Sequence, residues 1–202
     1  MRIHRRTLLA GVAMCSLASP VLAQTAVPIR IRGTIESAEG QTLRIASRGG
    51  ETLTVTLRPN TGIVAIAPAM ISDIKPGSFI GTAAMPQPDG SQVALEVHIF
   101  PENMRGTGEG HRPYDLQPQS TMTNGTVGDV VGTEGRTFTV RYKGGEKKVV
   151  VPPNVPIITF EPGDRSLLTS GAHVIVLGSK APDGAISPDR VLVGKNGLTP
   201  PM

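Results

Sequence analysis

Apolar and polar residues alternate with a period of two in short stretches along this chain. Leu53, Val55 and Leu57 interleave with Thr52, Thr54 and Thr56, which puts branched apolar side chains on one face of an extended strand and hydroxyls on the other. Leu43 and Ile45 repeat the pattern upstream, and Ser47-Arg48-Gly49-Gly50-Glu51 supplies a turn that lets the two stretches pair antiparallel. Leu95, Val97 and Ile99, set against Glu96 and His98, predict a strand after the turn at 86–90. The segment 71–77 is too short for a full helix and is stopped by Pro76, so one helical turn followed by a strand over 78–84 is expected. Strands are expected again at 125–131, 137–142, 147–151, 173–177 and 186–193, with Lys143-Gly144-Gly145-Glu146 as a second hairpin turn. Long amphipathic helical periodicity does not occur.

The turn chemistry is written twice. Arg32-Gly33-Thr34-Ile35, Gly49-Gly50-Glu51, Arg58-Pro59-Asn60, Pro76-Gly77 and Pro88-Asp89-Gly90 return in order. Their counterparts are Asn124-Gly125-Thr126-Val127, Gly144-Gly145-Glu146, Pro152-Pro153-Asn154, Ser170-Gly171 and Pro182-Asp183-Gly184, offset by 92 to 95 residues. Five or six short strands without a covering helix leave unpaired edges unless the sheet closes. The expectation is therefore an all-β protein: two tandem small OB-like β-barrels of five to six strands each, related by an internal repeat. They occupy 24–100 and 122–202, with a Gly-rich connector at 101–121 and a leader at 1–23.

The leader changes how composition is read. Arg2, His4, Arg5 and Arg6 precede an apolar run over 8–17, and Pro20-Val21-Leu22-Ala23 fits a signal peptidase site, so a periplasmic destination is expected. Arg5-Arg6-Thr7-Leu8-Leu9 suits the twin-arginine route as well as the ordinary secretory one. The apolar run is about half the length that crosses a bilayer, and no transmembrane segment is expected in the mature chain. The leader holds three of the 20 Lys and Arg and none of the 16 Asp and Glu, which leaves 17 against 16, a net +1. That balance, with six scattered aromatic residues, argues against nucleic acid, which needs a basic face and stacking rings. Cys15 is the one cysteine and lies in the leader, so disulfides, thiolate nucleophiles and Cys-based metal sites are not expected in the mature chain.

The repeats, together with the run Met104-Arg105-Gly106-Thr107-Gly108-Glu109-Gly110-His111-Arg112-Pro113-Tyr114-Asp115, resemble a family of bacterial exported proteins built from small OB-like β-barrel modules. Some members carry names linked to metal transport. The resemblance spans nearly the whole mature chain and implies barrel modules and export, and it brings no catalytic or binding residues with it.

The connector is the part that the repeat does not explain, and it concentrates charge in a glycine-rich stretch. Its plain role is an ordered link between barrels. As a site, successive amides around Gly108 would form an anion-cradling nest, with Arg105 and Arg112 supplying charge and Glu109, His111, Tyr114 and Asp115 completing the candidate ligand-binding set. Phosphate, sulfate or a partner's carboxylate fits such a nest. It is not a P-loop, because no Gly-Lys-Ser/Thr ends it. A weaker alternative is a divalent metal held by His98, His111 and Glu109, since imidazole and carboxylate are suitable donors. His98 shares a strand face with Glu96, which predicts a solvated or interdomain histidine. His173, at the place of Phe79, predicts a partly buried imidazole with its hydrogen bonds met. No Gly-x-Ser-x-Gly, His-Glu-x-x-His or Ser-x-x-Lys pattern occurs.

The function expected is an exported, non-catalytic binding or scaffold module acting at the connector, without a required cofactor, its partner an envelope protein or a small anionic ligand. The alternatives are a periplasmic metal-handling accessory protein and a hydrolase.

Overall fold

The computed structural model describes residues 27–131 and 136–202; the expected leader, 1–23, lies outside them. The described residues carry thirteen strands: β1 (Val27–Glu39), β2 (Thr42–Ser47), β3 (Thr52–Thr56), β4 (Gly62–Pro68), β5 (Phe79–Pro86), β6 (Gln92–Ile99), β7 (Gly110–Pro113), β8 (Thr121–Val131), β9 (Thr137–Tyr142), β10 (Gly145–Val150), β11 (Ile157–Pro162), β12 (His173–Lys180) and β13 (Ile186–Gly194). Helical structure among them is confined to single 3-10 turns, one at Ile71–Asp73 before Pro76 as expected. No helix among the described residues is long and apolar enough to cross a membrane.

The protein is all-β and contains a closed five-strand barrel. Its strands run in the order β10, β9, β8, β5, β6, and a short parallel pairing of Val149 with Gln92 and Val150 with Val93 closes the ring. Closure satisfies backbone groups that an open sheet of this size would leave at its edges. Inside lie Ile80, Val97, Val127, Phe138, Val140 and Val149, each from the apolar positions of an alternating strand. A second set, β3, β2, β1, β12, β13, surrounds its own core of Ile31, Ile35, Leu43, Ile45, Val55, Val174, Val176, Val191 and Val193. Two strands join the sets: β13 pairs parallel with β4, β4 antiparallel with β11, and β11 parallel with β6.

Alternation does not mark β4 or β11, and the reason is burial. Each is flanked by strands on both edges, and Ala65, Ile66, Ala67, Ile157, Ile158 and Phe160 are all buried, so an apolar run replaces the two-residue rhythm. The expected partition at 100 and 122 is crossed by the pairing. β1 runs antiparallel to β12 from Val27 opposite Lys180 to Thr34 opposite His173, while β5 pairs β8 from Phe79 opposite Thr126 to Ala84 opposite Thr121. Strands from 27–56 therefore complete their sheet with strands from 173–194, and strands from 79–99 with strands from 121–150. Hairpin signals fix which neighbours pair locally and are silent about which distant strand fills the next position.

The connector is itself folded. β7 pairs with β8 over Thr121–Asn124, on the edge that β9 leaves open because β9 begins its pairing only at Thr126. The 3-10 turn at Glu102–Met104 and left-handed backbone at Gly106 and Gly108 bring the chain round to that edge.

Candidate functional site

Side chains on the outer faces of the two strand sets meet in a third apolar cluster built on Ile66, Phe79, Phe100, Ile158, Phe160, Ile175, Leu192 and Met202. Within it lies a cavity of about 130 Å³. One wall comes from the outside of the closed barrel, through His98, Phe100, Met122 and Asn124. The facing wall is Ile175, Leu177, Arg190 and Leu192 of β12 and β13, with Arg30 of β1 and Phe160 of β11 beside it. The connector covers the cavity with Met104, Thr107, Arg112 and Tyr114.

The register explains why polar groups gather on the barrel wall. Gly110, Asn124, Gly81, His98 and Ile158 lie opposite one another across β7, β8, β5, β6 and β11, so they share one face of the sheet. Gly81 has no side chain in the middle of this row, and the His98 ring and the Asn124 amide lean over it. A Cβ there would overlap His98 Nε2 and come within 2.5 Å of Asn124 Oδ1. The matching row on the second strand set is Arg32, Ile175 and Leu192, the last two of which line the cavity. Asn124 and His98 thus face the apolar Ile175 and Leu192, while Arg32 is turned to Asp115.

His98 and Glu96 form a buried pair. Glu96 is 0% and His98 3% exposed, and His98 Nδ1 lies 3.1 Å from Glu96 Oε2. Glu96 Oε1 also accepts from the backbone N–H of Ala83 at 2.9 Å. The imidazole meets Phe100 and Phe160 edge to face, with ring centroids 4.8 and 5.5 Å away. Of the expected solvated or interdomain histidine the solvated alternative is thereby corrected, and the ring lies between the two strand sets: the face shared with Glu96 is covered by the aromatic cluster and the second strand set. Asn124 Nδ2 donates to the Thr107 carbonyl at 3.0 Å, whereas its Oδ1, fully buried, has no hydrogen-bond partner among the described residues. Buried polar atoms are nearly always paired, so this acceptor stands out.

The connector residues take separate places. Asp115 accepts from both Arg30 and Arg32, and the Arg32 guanidinium beside it holds its carboxyl below the usual range. Arg30 also lies over the Tyr114 ring, 4.7 Å from its centroid, and burial pushes the Tyr114 phenol up despite that cation. Arg112 donates to the Gly108 carbonyl at 2.7 Å. Arg105 is turned away onto Glu102 and the Gly77 carbonyl. Glu109 accepts from the backbone of Lys143 at 2.9 Å, and His111 stacks on Tyr142 with Nδ1 2.8 Å from Thr123 Oγ1. Burial, with Lys147 and Arg112 nearby, pushes the His111 imidazole down.

Of the expected ligand-binding set, Arg112 and Tyr114 reach the cavity wall directly, and Asp115 reaches it through Arg30. Arg105, Glu109 and His111 are each engaged elsewhere. The three expected metal donors do not come together either. His111 lies opposite Thr123, one position along from the row of His98, so the two histidines occupy opposite faces of the sheet. Among the described residues no three of His, Cys, Asp and Glu converge. His173 is half-buried with Nδ1 3.0 Å from Thr34 Oγ1, in keeping with its expected environment.

Asn124, Gly81, Arg30 and Arg190 were not legible as site residues. A signal existed: at positions 92 to 94 residues apart, Asn124 stands against Arg32, Ile175 against Gly81 and Leu192 against His98. No family model, curated protein or solved structure matches this chain.

Proposed function

We propose that this protein is an exported, non-catalytic binding module whose ligand site is the cavity between its two strand sets. The observation that carries the reading is the unpaired, fully buried amide oxygen of Asn124 on the wall of a cavity whose phenylalanine, methionine, leucine and isoleucine lining is interrupted by His98, Thr107, Tyr114 and three arginines. An apolar cavity with a few converging polar groups is the usual form of a small-molecule site. Glu96 is committed to Ala83 and His98, so the pair serves as a fixed polar wall. The connector acts as the cover, which gives its unmatched sequence a purpose.

We further infer that the two strand sets descend from one duplicated OB-like module whose copies have exchanged strands. Three correspondences support this. The ladders are irregular at Ile35/Ser37 and Val127/Val130 in one pair of hairpins, and at Ala83/Ala84 and Leu177/Gly178 in the other. Gly77 and Gly171 have φ of 86° and 85°, and Gly90 and Gly184 of 83° and 88°. A Cβ on Gly33 would strike the Ala46 carbonyl as one on Gly125 would strike that of Arg141. Under this reading the site arose where the copies diverged, and the leader delivers the protein to the periplasm.

The test is native mass spectrometry of protein taken from the periplasm of a cell making the full chain, alongside a thermal-shift panel of small metabolites. A bound small molecule that raises Tm, and that is lost in Leu192→Phe, is the expected result. A protein that carries no added mass and is stabilised by nothing in the panel overturns it.

A further inference from the structure

The polar groups around the cavity restrict what fits. At the inner end, Asn124 Oδ1 is an acceptor in need of a donor, with the amide orientation fixed by Nδ2 donating to Thr107. An anionic group placed there would meet that lone pair and the Glu96 carboxylate behind His98. Arg112, on β7 beside Asn124, and Arg190, on the facing strand β13, supply positive charge. Arg112 uses one N–H on the Gly108 carbonyl, and Arg190, exposed on β13, has no ion-pair partner among the described residues. Between the ends, Phe100, Phe160 and Leu192 offer only apolar contact. The volume of about 130 Å³ is close to the roughly 150 Å³ that accommodates a benzene ring.

Resting on the reading of this cavity as the ligand site, we propose that its ligand is a compact hydroxyaryl carboxylate, of the size of hydroxybenzoate. The ring lies among the phenylalanines and Leu192, the phenolic hydroxyl donates to Asn124 Oδ1, and the carboxylate sits on the facing side against Arg190. Pairing the orphaned acceptor gives the hydroxyl its selectivity, since a site built to bond a hydroxyl discriminates against the analogue that lacks it. The Arg190 guanidinium gives the carboxylate its orientation and makes binding weaken with salt.

Binding of 4-hydroxybenzoate, 3-hydroxybenzoate, benzoate and phenol to the purified mature protein is measured by calorimetry and by ligand-detected NMR. At least one hydroxybenzoate should bind about fivefold or more tighter than benzoate, the equivalent of one net hydrogen bond, and tighter than phenol. Leu192→Phe, which adds volume to the cavity from an apolar wall position, should abolish binding of all four. Asn124→Leu should abolish the preference for the hydroxyl, and Arg190→Ala the preference over phenol. Equal affinity for benzoate and both hydroxybenzoates, lost in Leu192→Phe, overturns the hydroxyl assignment while leaving the cavity as the site. Binding that survives Leu192→Phe, or no binding by any of the four, overturns this proposal; failure of the wider metabolite panel as well removes the site itself.

Discussion

Truncation of Glu96 to alanine tests whether the polar wall is as buried as its geometry requires. The carboxylate is fully enclosed and holds two partners, the Ala83 N–H at 2.9 Å and His98 Nδ1 at 3.1 Å. Removing it orphans a backbone donor in the interior, at a cost of about 1–3 kcal/mol. It also strips His98 of its carboxylate, and breaking one side of a buried pair costs about 3–5 kcal/mol in total, the two contributions overlapping. For a chain of this length each kcal/mol moves Tm by about 2–4 °C, so Glu96→Ala should melt roughly 6–20 °C below the parent. Replacing both partners, with Glu96→Val and His98→Phe, should cost less than Glu96→Ala alone. A phenyl ring at position 98 keeps the edge-to-face contacts with Phe100 and Phe160, and only the Ala83 donor is left unpaired. Urea denaturation followed by circular dichroism, with calorimetry for Tm, measures Glu96→Ala, the double variant, its two singles and the parent. A loss below about 1 kcal/mol for Glu96→Ala, or a double variant as damaged as the sum of its singles, would refute the argument.

Other outcomes follow from the same geometry. Asp115→Asn should cost roughly 0.2–1 kcal/mol at neutral pH, because the carboxylate is half exposed despite its two arginines. Its carboxyl is held below the usual range, so the contribution is complete above the ordinary value near pH 4 and fades as pH falls through the lower folded value. Denaturation of the two proteins at pH 7 and at about pH 2 should therefore show a gap that closes on acidification, and a constant gap contradicts the pairing. Gly33→Ala and Gly125→Ala should each lose about 1–3 kcal/mol, since a methyl group there meets a backbone carbonyl, whereas Gly49→Ala, whose nearest contact is Ser47 Oγ at 3.5 Å, should be close to neutral. The His111 imidazole should titrate by NMR below about 6.5, owing to burial and its cationic neighbours; a midpoint above that value would mean the stack on Tyr142 is open to solvent.

Local pattern alone determined that this chain is all-β and where its hairpins turn. The alternation of Leu53, Val55 and Leu57 with threonines dictates a strand with one wet and one dry face, and Gly49-Gly50 and Gly144-Gly145 fall between strands that do pair. These are decisions between neighbours in the chain, and side-chain period and turn chemistry suffice for them. Which distant strand completes each set was decided only by the fold. β1 beside β12 rather than beside a strand of its own half is a choice between two similar sheet edges, and nothing in the local pattern separates them. The cavity followed from that choice. His98, Asn124 and Leu192 are far apart in sequence, and Gly81 shows its purpose only once two neighbouring strands lean their side chains over it. Burial from both sides turned an apparently solvated Glu96 and His98 into an enclosed pair, because a strand face is wet or dry according to what the rest of the molecule lays against it.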